Sequence, residues 1–181
     1  MFRGVFNAPV LALGATYSLF CLVLWRDGHR PSATLLPIPP ESYYLWQAVF
    51  LVPLFVGLAW IYSTVAYHLS VGAAAVGSAA VGAAAGGSAS GRLATQEALS
   101  RTYALPLLLG FVIPDFVTYL IWGFDALVSG MVVYAPLALL GIVYFSVIAL
   151  RRLHGLGWGR AFLVVLAAGV AQALVGGLVL R

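Results

Sequence analysis

The sequence predicts an all-α fold: a polytopic transmembrane helix bundle of five spans, forming a single membrane domain over residues 1–181. Hydrophobic residues make up 63% of the chain and charged residues only 8%, whereas soluble domains are about one quarter charged. The apolar residues lie in long, nearly uncharged runs, each long enough to cross a hydrocarbon core of about 30 Å as a helix. The predicted spans are residues 8–25, 46–67, 102–122, 128–150 and 160–180.

The stretch VGAAAVGSAAVGAAAGGSASG, residues 71–91, is predicted to be a low-complexity linker rather than a sixth span. Its five-residue repeat matches neither the period of a helix nor that of a strand. Each glycine also lowers helix stability by about 1 kcal/mol relative to alanine. The alternative is a small-residue span packed tightly against its neighbours. Whether the linker prolongs the second helix or is flexible stays open at this point.

Arginine placement predicts the orientation of the five spans, since cytoplasmic segments of membrane proteins carry an excess of Lys and Arg. The chain has nine Arg and no Lys, and an odd number of spans divides them six to three. The larger group is Arg3, Arg92, Arg101, Arg151, Arg152 and Arg160, and the smaller is Arg26, Arg30 and Arg181. We therefore expect the N-terminus inside and the C-terminus outside, in the bacterial cytoplasmic (inner) membrane.

Three stretches carry a family resemblance: ESYYLWQAVFLVPL, YALPLLLGFVIPD and RRLHGLGWGRAF. Their order and spacing resemble the bacterial branch of the Yip family, five-span membrane proteins related to the Ypt- and Rab-interacting proteins. The resemblance implies an inside N-terminus and an outside C-terminus, in agreement with the arginine count. The long N-terminal region and DLYGP-type motif of eukaryotic members are absent, so the resemblance does not extend to GTPase recognition.

The sequence lacks the residue patterns of an enzyme. No nucleophile stands with a positioned base, and the three histidines do not have HExxH spacing. A phosphate-binding loop of the GxxxxGK[ST] type needs a lysine, which the chain does not contain. We therefore predict a protein that is not an enzyme, with no catalytic, cofactor-binding or metal-binding residues, no cofactor and no nucleic-acid partner.

Asp115 is the one ionisable residue well inside a predicted span. A charge at the centre of a membrane costs about 2.5–3.5 kcal/mol on insertion scales, so the carboxyl must pair, bind a proton or meet water. One interpretation is an ion or proton site in a third span broken by Pro106 and Pro114. The other places Asp115 near the outer boundary, within reach of interfacial water or of Arg26 or Arg30.

Small residues repeat every four positions in the fifth span and form a predicted helix-packing stripe. The stripe consists of Gly169, Ala173 and Gly177. Small residues let helices approach closely, and Gln172 beside the stripe is a second candidate intramembrane polar residue. The neighbour is either another helix of the same chain, accommodated by Pro136 and Gly141 of the fourth span, or a second copy.

The loop between the fourth and fifth spans holds the candidate contacts for lipid or a partner. These are Arg151, Arg152, Trp158 and Arg160. Each Arg near an anionic leaflet gains about 1 kcal/mol, and Trp favours the membrane interface. The loop is thus predicted either to attract an anionic lipid or an acidic partner segment, or only to enforce orientation during insertion.

Taken together, these features favour a non-enzymatic scaffold or membrane-organising protein. Its expected partners are membrane lipids, including anionic ones, and other membrane proteins or further copies of the chain. The alternative is a small transporter or channel subunit that uses Asp115 and the third span.

The five-span prediction is tested by topology reporters. Fusions after Ser90 and after Arg160 should both give cytoplasmic signals, because an even number of spans separates them. A fusion after Arg181 should give an outside signal. Opposite signals at Ser90 and Arg160 would show that residues 71–91 or a later segment changes the number of crossings.

Overall fold

The structure, a computed structural model, describes residues 4–31, 38–78 and 89–179, and side-chain surroundings within 4–31, 38–75 and 91–175. The described residues are helical, with no strand among them. The helices are α1 (Ala8–Arg26), α2 (Tyr43–Ser78), α3 (Ala89–Leu107), α4 (Ile113–Trp122), α5 (Ala126–His154) and α6 (Trp158–Val179). A π-helical turn, Leu108–Val112, joins α3 to α4, so five helices are long and apolar enough to cross a membrane. This confirms the predicted five-span, all-α fold.

The predicted linker is helical over its first part, because α2 continues to Ser78. Of the remainder, residues 79–88 lie outside the described part of the chain. Helix α3 is already present from Ala89, well before the predicted third span. The second and third helices thus extend beyond the predicted spans at residues 46–67 and 102–122.

Helix ends follow from local sequence. The Asn7 side chain accepts a hydrogen bond from the Val10 backbone N–H at 3.3 Å and thereby caps α1. At the end of α5, Gly155 has a φ of +64°, a left-handed conformation that favours glycine. Helix α6 follows at Trp158, so the glycine-rich loop is the tight turn that its composition indicates.

The π turn is where the structure departs from the predicted proline-broken third span. The Ile113 N–H donates to the carbonyl of Leu108, five residues earlier, and the next residue, Pro114, has no N–H to donate. The helix widens by one residue and continues instead of breaking. An added residue rotates everything after it by about 100° around the helix axis, so α4 presents a different face from that expected of a regular α-helix.

The spans form a closed ring in the order α1, α3/α4, α5, α6, α2, and α2 also contacts α3 across the middle. Two glycines allow neighbouring helices to approach each other closely. A Cβ on Gly14 of α1 would lie 2.9 Å from the Val52 Cα of α2. A Cβ on Gly141 of α5 would lie 3.0 Å from the Pro106 Cβ of α3. Gly141 therefore accommodates α3, which corrects the expectation that it receives the fifth span.

Hydrogen bonds between helices accompany these contacts. The Asn7 Nδ2 donates to Ser100 Oγ at 2.6 Å, and Ser18 Oγ donates to the Ala48 carbonyl at 2.7 Å. Other pairs are Gln96 Nε2 to Thr64 Oγ1 at 3.0 Å, Thr102 Oγ1 with Ser146 Oγ at 2.8 Å, and Thr95 Oγ1 with His154 Nε2 at 3.0 Å. These polar side chains are thus hydrogen-bonded inside the bundle, as a membrane interior requires.

The outer surface is apolar. Val128, Val132 and Leu140 of α5 are 73%, 72% and 67% exposed, respectively. Such a continuous apolar surface is rare on soluble monomers and is the expected surface against lipid tails. The chain is therefore an integral membrane protein.

The close approach at Gly14 gives a stability prediction. Gly14→Ala should lower the free energy of unfolding by about 1–3 kcal/mol, because the added methyl group meets backbone that cannot move aside cheaply. Reversible unfolding in detergent micelles measures the change. Gly57→Ala is the matched control: apart from the adjacent backbone of α2, no atom of the described residues lies within 4 Å of a Cβ added there, so stability should stay equal or rise by up to about 1 kcal/mol. Equal effects of the two variants would contradict the tight α1–α2 contact.

Candidate functional site

An arginine cluster lies where α5 turns into α6. Arg151 and Arg152 occupy the last turn of α5, and the left-handed Gly155 returns the chain so that Trp158 faces Arg151. The Arg151 guanidinium carbon lies 3.9 Å from the centre of the Trp158 ring, a cation–π contact. Trp158 is still 55% exposed, and its ring stands at the end of the bundle where an interfacial residue is expected.

The arginines of this cluster keep hydrogen-bonding capacity. The Arg151 Nε is buried and makes no hydrogen bond among the described residues. Arg152 and Arg160 are both exposed, and neither belongs to an ion pair within the described part of the chain. The predicted contact residues Arg151, Arg152 and Trp158 therefore lie together, and Arg160 follows at the start of α6.

Helix α3 adds a fourth arginine that sequence reasoning did not select. Its first turns pack against the end of α5, where Thr95 bonds His154 at 3.0 Å. Arg101 and Arg152 then line opposite walls of a groove of about 640 Å³ that runs between α3 and α5. Arg101 Nη2 also donates to Glu97 Oε1 at 2.5 Å, the only ion pair described at this end of the bundle.

At the opposite end of the bundle, both described arginines pair with carboxylates. Arg26 Nε lies 2.9 Å from Asp27 Oδ1, and Arg30 Nη1 lies 3.2 Å from Glu41 Oε1. Tyr119 donates to the second oxygen of Asp27 at 2.5 Å, joining α4 to the end of α1. This hydrogen bond, and next that from Arg26, hold the pKa of the Asp27 carboxyl below its usual value. The resulting stabilisation is present at neutral pH and is lost as the pH falls through that lowered pKa.

Asp115 lies inside the bundle, at 5% exposure. Its Oδ1 is buried and makes no hydrogen bond among the described residues. The arginines expected to reach it, Arg26 and Arg30, pair with Asp27 and Glu41 instead. A Cβ on Gly130 of α5 would lie 3.2 Å from Asp115 Oδ1, so that glycine leaves the space the carboxyl occupies. The described residues hold no group of three His, Cys, Asp or Glu side chains that could bind a metal.

The described residues of the small-residue stripe of α6, Gly169 and Ala173, border a cavity and are not in close contact with a neighbouring helix. No atom lies within 4 Å of a Cβ placed on Gly169, and Ala173 is exposed. Gly169, Gln172 and Ala173 line a cavity of about 620 Å³ together with Tyr62 of α2 and residues of α3 and α5. The surroundings of Gly177 lie outside the described residues. The predicted packing of another helix of the chain against Gly169 is therefore not seen.

The burial of Asp115 gives a second stability prediction. Asp115→Asn should keep or raise the free energy of unfolding, by up to about 3 kcal/mol, because it removes the possible charge from a membrane interior. Unfolding in micelles, compared with wild type, measures the change. The control Asp125→Asn alters an exposed carboxyl next to the start of α5 and should change stability by no more than about 1 kcal/mol. A loss above 1 kcal/mol in Asp115→Asn alone would mean that the ionised carboxylate holds the fold together.

Comparison with known proteins leaves the family open. No family model matches the chain, no curated protein matches it, and no solved structure matches it. The resemblance to the Yip family therefore stays an expectation from the sequence, and the features of the structure that bear on function are the arginine cluster, the groove beside it and Asp115.

Proposed function

We propose that this chain is a non-enzymatic membrane scaffold that organises its surroundings by binding anionic lipid at the arginine cluster. The observation that carries the proposal is the stacking of Arg151 on Trp158, at 3.9 Å, beside the exposed Arg152, which forms no ion pair within the described part of the chain. The stack holds one positive charge in a fixed position at the bundle end, and the second remains available to a phosphate or carboxylate. The Yip resemblance, as an expectation, fits the same role.

Charge balance supports an anionic ligand rather than a cationic one. Glu97 is the one carboxylate described near this end, where five described arginines lie: Arg92, Arg101, Arg151, Arg152 and Arg160. The opposite end pairs Arg26 and Arg30 with carboxylates. More arginines lie at this end of the bundle than at the opposite one, which supports an inside location for the arginine cluster, in the bacterial cytoplasmic membrane, because cytoplasmic segments carry an excess of Lys and Arg.

The same cluster has the chemistry to hold an acidic segment of another membrane protein. A guanidinium binds a carboxylate and a phosphate with the same two-pronged geometry. Binding of lipid and of a partner protein would then compete, which is one way in which a scaffold without catalytic residues organises a membrane.

Replacement of Arg151, Arg152 and Arg160 by Gln tests this function. At about 1 kcal/mol for each arginine, the triple variant should lose binding of an anionic phospholipid by a factor on the order of 100. Native mass spectrometry of the protein with phosphatidylglycerol measures the occupancy, and topology reporters in the same sample check the orientation. The control, Arg26→Gln with Arg30→Gln, changes the opposite end and should keep the lipid. Unchanged occupancy in a correctly oriented triple variant would reduce the loop to a topology signal.

A small transporter or channel subunit is the second candidate, favoured by the buried and unpartnered Oδ1 of Asp115. Neither the α3/α5 groove nor the cavity beside α6 is lined by Asp115. For this reason the scaffold is the preferred proposal. Proteoliposomes that show proton or cation flux with wild type, and none with a folded Asp115→Asn, would establish the second candidate instead.

A further inference from the structure

The groove between α3 and α5 combines a long apolar part with a charged part that holds Arg101 and Arg152. Its walls are Ala98 and Leu105 of α3, Leu109 of the π turn, and Phe145, Ala149 and Arg152 of α5, among other residues. The floor is closed by the hydrogen bond between Thr102 and Ser146 at 2.8 Å. One turn further along α3, the contact of Pro106 with Gly141 keeps α3 and α5 together. The groove is thus a built depression rather than a gap between separate helices.

The apolar length of the groove fits within one leaflet of a bilayer. From Arg101, where the charge stands, to Leu109 in the π turn, the wall rises about 12 Å, at 1.5 Å per residue. Half of a hydrocarbon core is about 15 Å. Ala98 and Ala149 contribute small side chains to the lining of the groove, while Leu109 and Phe145 are 61% and 50% exposed.

Charge is confined to one end. Arg101 and Arg152 stand at the end of the groove that adjoins Arg151 and Trp158, which line a second depression of about 320 Å³ together with Arg152. Glu97 offsets the charge of Arg101 in part, whereas Arg152 has no described ion-pair partner. An occupant with an anionic head and an apolar tail satisfies both parts of the site. A transmembrane helix would satisfy the apolar part alone.

We propose that the α3/α5 groove binds one anionic phospholipid, with its phosphate between Arg101 and Arg152 and one acyl chain along Leu105, Leu109 and Phe145. This proposal rests on the proposed function, which requires only that the arginine cluster attract anionic lipid. It adds that binding depends on the acyl chain as well as on the head group, and that the site holds a lipid individually rather than a diffuse layer.

Filling the groove tests the role of the acyl chain while leaving every arginine in place. Ala149→Trp and Ala98→Trp fill it from opposite walls, and Leu140→Trp puts the same side chain on the exposed lipid face of α5 as the matched control. The full chain is purified in detergent and titrated with dioleoyl phosphatidylglycerol by native mass spectrometry. We expect about a tenfold loss of affinity in the two groove variants and none in the control. Circular dichroism and thermal melting verify that each variant is folded.

Position and selectivity are measured on wild type, so the test does not depend on the variants alone. Phosphatidylglycerol with a photoactivatable group near the end of its acyl chain should label peptides that contain Leu109 or Phe145. Dioleoyl phosphatidylcholine, dihexanoyl phosphatidylglycerol and inorganic phosphate should each bind at least about tenfold more weakly. Labelling spread evenly over all lipid-facing helices would overturn the proposal.

The outcomes separate this proposal from the broader function. Lipid that is lost in the triple arginine variant but retained in both folded groove variants would overturn the acyl-chain site and leave the arginine cluster as the lipid contact. Retention in all variants would overturn both. A co-purified membrane protein that crosslinks to Leu109 or Phe145 in place of lipid would overturn the lipid occupant, because the groove would then be a helix-docking surface.

Discussion

Side chains that bond across helices set the arrangement of this bundle, because apolar packing alone distinguishes weakly between neighbours in lipid. Lipid tails are as apolar as leucine, so a helix gains little from exchanging lipid for another apolar face. The polar contacts of α3 are directional and reach three other helices. Ser100 accepts a hydrogen bond from Asn7, which caps α1, and Gln96 donates one to α2. Thr102 shares a hydrogen bond with α5. Helix α3 is therefore the element around which α1, α2 and α5 are positioned, and the groove and the arginine cluster both depend on it.

The number of spans could be predicted from the sequence because hydropathy is a local property. Each apolar run near 20 residues has to be a helix in lipid, whatever its neighbours are. The tight turn before Trp158 was predictable for a similar reason, since closely spaced glycines indicate where a chain reverses. Residues 71–91 also lack charge: α2 runs through the beginning of that stretch up to Ser78, α3 is present from Ala89, and residues 79–88 lie outside the described part of the chain.

The partners of particular residues were not predictable, because they depend on which helices become neighbours. Gly141 was expected to face the fifth span, yet the side chain beside it is that of Pro106 in α3. Arg101 was counted only as a topology residue, and its place opposite Arg152 follows from the pairing of α3 with α5. The burial of Asp115 also depends on the π turn. In the sequence, only Pro106 and Pro114 indicate that the helix is irregular there.

The π turn divides the third span into two helical segments, α3 and α4, that are rotated relative to each other around the helix axis. Deleting one residue between Leu108 and Val112 would restore a regular α-helix and turn α4 back by about 100° relative to α3. The contacts of Ser100 and Thr102 would stay where they are, while Tyr119 would leave Asp27 and Asp115 would leave the space beside Gly130. A deletion of one residue at this point would thus replace the contacts of α4 at one end of the bundle. The number of residues in the π turn therefore determines the structure there as much as their identity does.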